Sequence, residues 1–161
     1  MLANKKLIYN NSIIDLQIIY KSNDIPNKLK FQKWVKTILF YFQIQAQITI
    51  RLVDKKESYN LNLKYRGKRR PTNILSFSFE KPLWINLSLL GDLVICFPII
   101  QKEAAEQGKS IECHLAHMVV HGTLHLLGYD HYKVYQAKKM ESIEIKIMSL
   151  LGYPNPYYLD Y

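Results

Sequence analysis

Residues 121–131 read HGTLHLLGYDH. His121 and His125 are four positions apart, a spacing that sets two side chains on one helix face, one turn apart. Gly128 permits the left-handed backbone that reverses a chain, and His131 then folds back toward the same point. Three neutral imidazoles meeting on one ion leave a fourth position for water. That is the open coordination of a catalytic zinc site, whereas structural zinc sites are usually closed by four ligands, often thiolates. Zinc lowers the pKa of such a water to about 7. Three hydrogen-bonded histidines at a helix end would be the simpler reading, but this spacing around a turn glycine favours a metal. The expectation is one Zn(2+) per chain, although nickel, copper and iron also accept imidazole.

Peptidases that bind zinc through this spacing carry a glutamate beside the first histidine as general base. Here the position is Gly122, which speaks against a metallopeptidase. An acidic partner, which the net charge of +9 favours, would be repelled by that carboxylate. Like unit charges at about 4 Å cost about 4 kcal/mol at an effective dielectric of about 20. Gly122 is therefore expected to face the approaching phosphate and leave room for a ribose–phosphate chain. His114 and His117 lie earlier on the same helix, and at about 100° per residue all four helical histidines share one face. Only His121 and His125 are within reach of a chain that turns at Gly128. His117 is open to three readings: orienting a ligand, contacting substrate RNA, or packing. Asp130 either holds a histidine N–H from behind the ligand or caps the turn. Cys113 points off the histidine face.

The second chemical feature is KYRGKRRPTN at 64–73. Lys64, Arg66, Lys68, Arg69 and Arg70 put five cations within seven residues, the densest positive patch in the chain. Guanidinium matches phosphate with paired donors, so these residues are candidate RNA contacts. Arg66 falls at a helix end before Gly67. Lys68, Arg69 and Arg70 fall in a loop, where each taken singly also reads as a solvated cation. No aromatic stacking motif like that of an RNA-recognition sheet is present.

The elements that must position these groups are legible from periodicity. Alternation or continuous apolarity predicts strands at 13–20, 47–53, 74–80 and 91–97. Helical spacing predicts 27–43, 57–66, a helix ending near Gly108, one from Ser110 to Leu127, and one over 133–151 with a stripe of Met140, Ile143, Ile147 and Leu150. The order argues an α+β fold: a small four-stranded mixed sheet with about five helices, the metal site on a helix and turn in the C-terminal half. No repeat or linker divides the 161 residues, so one domain over 1–161 is expected.

Composition is that of a globular chain, 48% hydrophobic and 22% charged. The net charge of +9 favours an acidic partner, nucleic acid first and an anionic membrane surface second. Richness in Lys, Ile, Asn and Tyr, as AT-rich genomes encode, also contributes to that charge. Cys96 and Cys113 have no framework spacing and are expected as free thiols in a reducing cytosol. Lys5 and Lys6 are followed by Asn10, Asn11 and Asp15 rather than an apolar core, so no leader is expected. No run approaches the ~20 apolar residues of a membrane span, so the expected location is cytoplasmic, with no membrane partner.

The ordered blocks LNLKYRGKRRPTNILSFSFE, LLGDLVIC, EAAEQGKS and HLAHMVVHGTLHLLGYDH resemble the YbeY family of bacterial rRNA maturation factors. The resemblance spans about residues 46–152 and implies a metal-dependent endoribonuclease acting on single-stranded RNA. It implies roles in 3′-end maturation of 16S rRNA and in ribosome quality control, with the small subunit and its assembly factors as partners. By motif position it assigns the metal ligands to His121, His125 and His131, and the functional arginine to Arg66. Two positions and one stretch depart from the family pattern: Arg69 and Ser78 stand where an acid and a proline are common, and YKVYQAKKM replaces an acid-rich stretch. Two hydrolytic routes fit, attack by activated water or by the RNA's own 2′-OH, each with a Lewis acid and a cation stabilising charge. The competing class is a non-catalytic RNA-binding assembly factor with a structural metal.

Overall fold

The computed structural model describes residues 13–80 and 88–158. Lys5, Lys6, Asn10 and Asn11, on which the expectation about a leader rests, lie outside the described residues. Among those residues the chain forms strand β1 (Ile14–Ile18), helix α1 (Lys28–Tyr41), strand β2 (Gln47–Val53), helix α2 (Lys55–Arg66), strand β3 (Ile74–Ser78), strand β4 (Leu89–Cys96) and helices α3 (Phe97–Glu106), α4 (Ile111–Leu126) and α5 (Val134–Leu150). This is the expected α+β fold. Helix α2 starts two residues earlier than periodicity suggests, because the Asp54 side chain accepts the Glu57 N–H at 2.8 Å and caps it there.

The strands lie in the order β1-β2-β4-β3. β1, β2 and β4 run parallel, and β3 is antiparallel on the edge beside β4. The continuous apolar run in β4 thus belongs to an inner strand, as its composition demands. Alternation assigns the two faces. Ile48, Ile50 and Leu52 of β2, with Leu93 and Ile95 of β4, join the main core with Phe31, Trp34 and Val35 of α1 and Leu115, Val119 and Leu124 of α4. Their neighbours Val53, Leu75 and Val94 point the other way and pack with Leu61 of α2 and Phe77.

Helix α4 is the hub. It is buried almost all round and packs on β3, α1, α3 and α5. Its second half sits tightly on the sheet at Gly122. A Cβ there would lie 2.5 Å from Ile74 Cδ1, 2.9 Å from Leu93 Cδ2 and 3.1 Å from Ser76 Oγ. This corrects the expectation that Gly122 faces substrate. The position points into the sheet, and the glycine is there to let helix and sheet approach. Ser76 Oγ donates to the Gly122 carbonyl across the same contact at 3.3 Å. Cys96 and Cys113 are buried free thiols. Among the described residues no helix is long and apolar enough to cross a membrane.

Candidate metal centre

Ser110 caps the start of α4, its side chain accepting the Cys113 N–H at 3.1 Å. The helix then carries His121 and His125 to its last turn. Gly128, at φ 94°, reverses the chain, and Asp130 Oδ1 accepts the His131 backbone N–H at 2.7 Å. These local devices bring the three imidazoles together: one nitrogen of each lies within 4.8 Å of the other two. His121 and His125 are half-buried and His131 is exposed.

The outer ring nitrogens fix what the inner ones can do. His121 Nδ1 donates to Glu144 Oε1 at 2.5 Å, and His125 Nδ1 donates to the Tyr129 carbonyl at 3.0 Å. With both Nδ1 protons spent, both Nε2 atoms present lone pairs, and these face each other at 3.1 Å. Two lone pairs at that separation repel unless a cation lies between them. A proton is a poor occupant, because burial and the neighbouring His121 and His131 push the His125 pKa below its ordinary value. The donor set therefore fits a metal ion, with an anchored carboxylate and carbonyl behind two of its three ligands.

Glu144 is the residue that pattern reading missed. It is fully buried on α5, where Met140, Glu144, Ile147 and Met148 form the inward stripe, while Leu150 of the expected stripe is 63% exposed and Ile143 only half-buried. Burial would raise its carboxyl pKa, but His117, His121 and Tyr157 outweigh burial and hold it at about 2. Tyr157 donates its hydroxyl to Glu144 Oε2. The available signal was a carboxylate at a core register of the last helix, a place it occupies only when partnered.

His117 is buried, with Nε2 3.6 Å from Glu144 Oε2 and its ring against Tyr157. Burial lowers its pKa against the raising pull of Glu144. It is too buried to offer RNA a surface, and the ring packs behind the site. Asp130 takes the turn-capping role; the ring N–H partners of the ligands are Glu144 and the Tyr129 carbonyl instead. His114 belongs to a separate network, 2.7 Å from Glu103 of α3.

A cleft of about 330 Å³ opens on the site, lined by His121, His131, Ala137, Met140, Glu141, Glu144 and Tyr157. The basic segment lies elsewhere. Arg66 ends α2, which packs on the sheet face opposite α4. Lys64, Arg66, Lys68, Arg69 and Arg70 are all exposed, and none joins an ion pair among the described residues. Lys64 Nζ lies over the Tyr65 ring at 5.2 Å. The loop after α2 is held from within: buried Asn62 donates to the Arg70 carbonyl at 2.8 Å, and buried Ser58 exchanges hydrogen bonds with Thr72. Among the described residues no ion pair joins these cations to the histidines.

The solution structure of TM1509 from Thermotoga maritima is similar in fold, with a TM-score of 0.54 at 21% identity, over 89% of this chain and 99% of that one. Residues 17–152 match the family described as endoribonuclease YbeY. A match over most of the chain, joined to a three-histidine site of this construction, establishes that the chain belongs to the YbeY endoribonuclease family.

Proposed function

We propose that this protein is a zinc-dependent endoribonuclease that cuts single-stranded RNA, acting in 3′-end maturation of 16S rRNA and in ribosome quality control. The observation that carries the catalytic part is the pair of Nε2 lone pairs facing each other at 3.1 Å beside an open cleft. A metal kept only for structure would be closed in by ligands, whereas here His131 is exposed and the cleft reaches two of the three rings. His121, His125 and His131 would hold the ion. Bound there, zinc supplies a Lewis acid and lowers the pKa of water.

The protein's own groups do the rest. Glu144 and the Tyr129 carbonyl hold two imidazoles in the tautomer that offers Nε2. Glu141, exposed on the cleft wall, is the carboxylate suited to accept a proton from the attacking group. Arg66 and the pinned cations Lys68, Arg69 and Arg70, with Lys64, bind phosphates of the strand away from the scissile one. The net charge of +9 gathers the polyanion. The chain acts as one domain in the cytoplasm, with the small ribosomal subunit and its assembly factors as partners.

A cleavage assay on single- and double-stranded RNA, with chelator and metal add-back, tests this. Wild type is expected to cut the single strand only, to lose activity with chelator and to regain it with zinc. Arg66→Ala is expected to weaken binding of the strand and to reduce its salt dependence. Cleavage that survives chelation, or a His121→Ala protein that unfolds and loses RNA binding together, would favour the non-catalytic assembly factor instead.

A further inference from the structure

The turn that delivers His131 continues into residues that the metal centre does not use. Tyr132 is 85% exposed and Tyr135, in the first turn of α5, is 65% exposed. The Tyr132 ring lies 5.7 Å from the His131 imidazole, tilted by 33°, so it borders the ligand directly. Lys133, Lys138 and Lys139 are exposed around these rings, and none joins an ion pair among the described residues. Lys139 Nζ sits 5.9 Å from the Tyr129 ring centroid. Fold stability does not account for two rings left this bare. A tyrosine presents a flat apolar face at low entropic cost, and exposed rings interleaved with cations suit a strand of unpaired nucleotides.

We propose that Tyr132 and Tyr135 form a base-stacking subsite at the rim of the metal centre. It takes an unpaired nucleobase of the RNA strand next to the scissile phosphate, while Lys133, Lys138 and Lys139 hold the flanking phosphates. The proposal rests on the RNA reading above and gives it a physical basis for strand preference. In a duplex both faces of a base are already stacked, so the rings gain nothing, whereas an unstacked base covers them. Phosphate contacts alone would not distinguish the two.

The test uses full-length protein and a short single-stranded oligoribonucleotide carrying one 2-aminopurine. Affinity is read by anisotropy of an end label and stacking by quenching of 2-aminopurine emission. Wild type is expected to bind and quench. Tyr132→Ala combined with Tyr135→Ala is expected to lose about tenfold or more in affinity, together with the quench. Tyr132→Trp is expected to keep both. An oligonucleotide with an abasic site in place of 2-aminopurine should bind wild type about as weakly as the intact one binds the double variant. Both rings are exposed, so the double variant should melt like wild type. If it binds and quenches as wild type does, the subsite is wrong while the RNA reading stands. If wild type binds no single-stranded RNA, the RNA reading fails and the subsite with it.

Discussion

At the scale of the residue, the site depends on groups that touch no substrate. Glu144 holds the His121 tautomer, and Tyr157 and His117 hold Glu144. Glu144→Gln keeps the shape but weakens the acceptor. It is expected to lower zinc affinity by about 10- to 100-fold, measured by competition with a chromophoric chelator, and to lower the unfolding midpoint as well, because the depressed pKa of the buried carboxylate is itself folding stability. An unchanged affinity would mean the carboxylate does not tune the ligand. The three ligands themselves were legible, because helical spacing and a turn glycine leave their imprint on sequence. Glu144 was not, because its partners come from α4 and from residue 157, and only tertiary packing unites them. Aromatic exposure was equally hidden: Tyr132 and Phe31 are both rings in the sequence, and the fold leaves one 85% exposed and the other fully buried.

At the scale of the element, the contact of α4 with β3 and β4 decides whether the histidines face the cleft. Gly122 stands at that contact, and its lack of a carboxylate says nothing about the charge of the substrate. Gly122→Glu would drive a charge against Ile74 and Leu93. The expected result is a loss of at least about 3 kcal/mol in urea unfolding, with RNA cleavage lost only as the folded fraction falls. A stable, folded variant that has lost RNA binding would restore the electrostatic reading. The strands and helices were readable because their periodicities are regular and their caps local, as at Asp54 and Ser110. The misassigned stripe on α5 shows the limit: hydrophobic spacing alone chose Leu150 and omitted Glu144, since an apolar pattern has no place for a carboxylate that is buried because it is bonded.

At the scale of the whole molecule, polar links, some partly buried and one on the surface, tie distant segments together. Glu103 of α3 joins His114 of α4 at 2.7 Å and Asn73 before β3 at 3.2 Å. Lys30 of α1 and Tyr153 after α5 both donate to Glu112, at 2.8 and 2.6 Å. Burial would raise the Glu103 pKa, but His114 and Asn73 outweigh it and hold it below the ordinary carboxylate range. Glu112 is lowered chiefly by Lys30, then Tyr153. A carboxylate whose folded pKa is depressed contributes stability that is present above its unfolded pKa and lost as pH falls through the folded one. Urea midpoints are therefore expected to start falling at about pH 6.5, where His117 and His125 take up protons more readily in the unfolded chain, and to drop further below about 4.5 as the carboxylates follow. Glu103→Gln should flatten part of that drop. An identical acid dependence in the variant would remove Glu103 from the cause.

The order of the chain gives the Glu144–Tyr157 arrangement a temporal meaning. All three ligands precede α5 in the chain, while the carboxylate that steadies the first of them lies on α5 and the hydroxyl behind that carboxylate lies beyond it. The first ligand is therefore oriented only once α5 and the segment after it have packed back on α4. The centre is thus the last part of the fold to be completed, and anything that loosens α5 from α4 loosens the ligand with it.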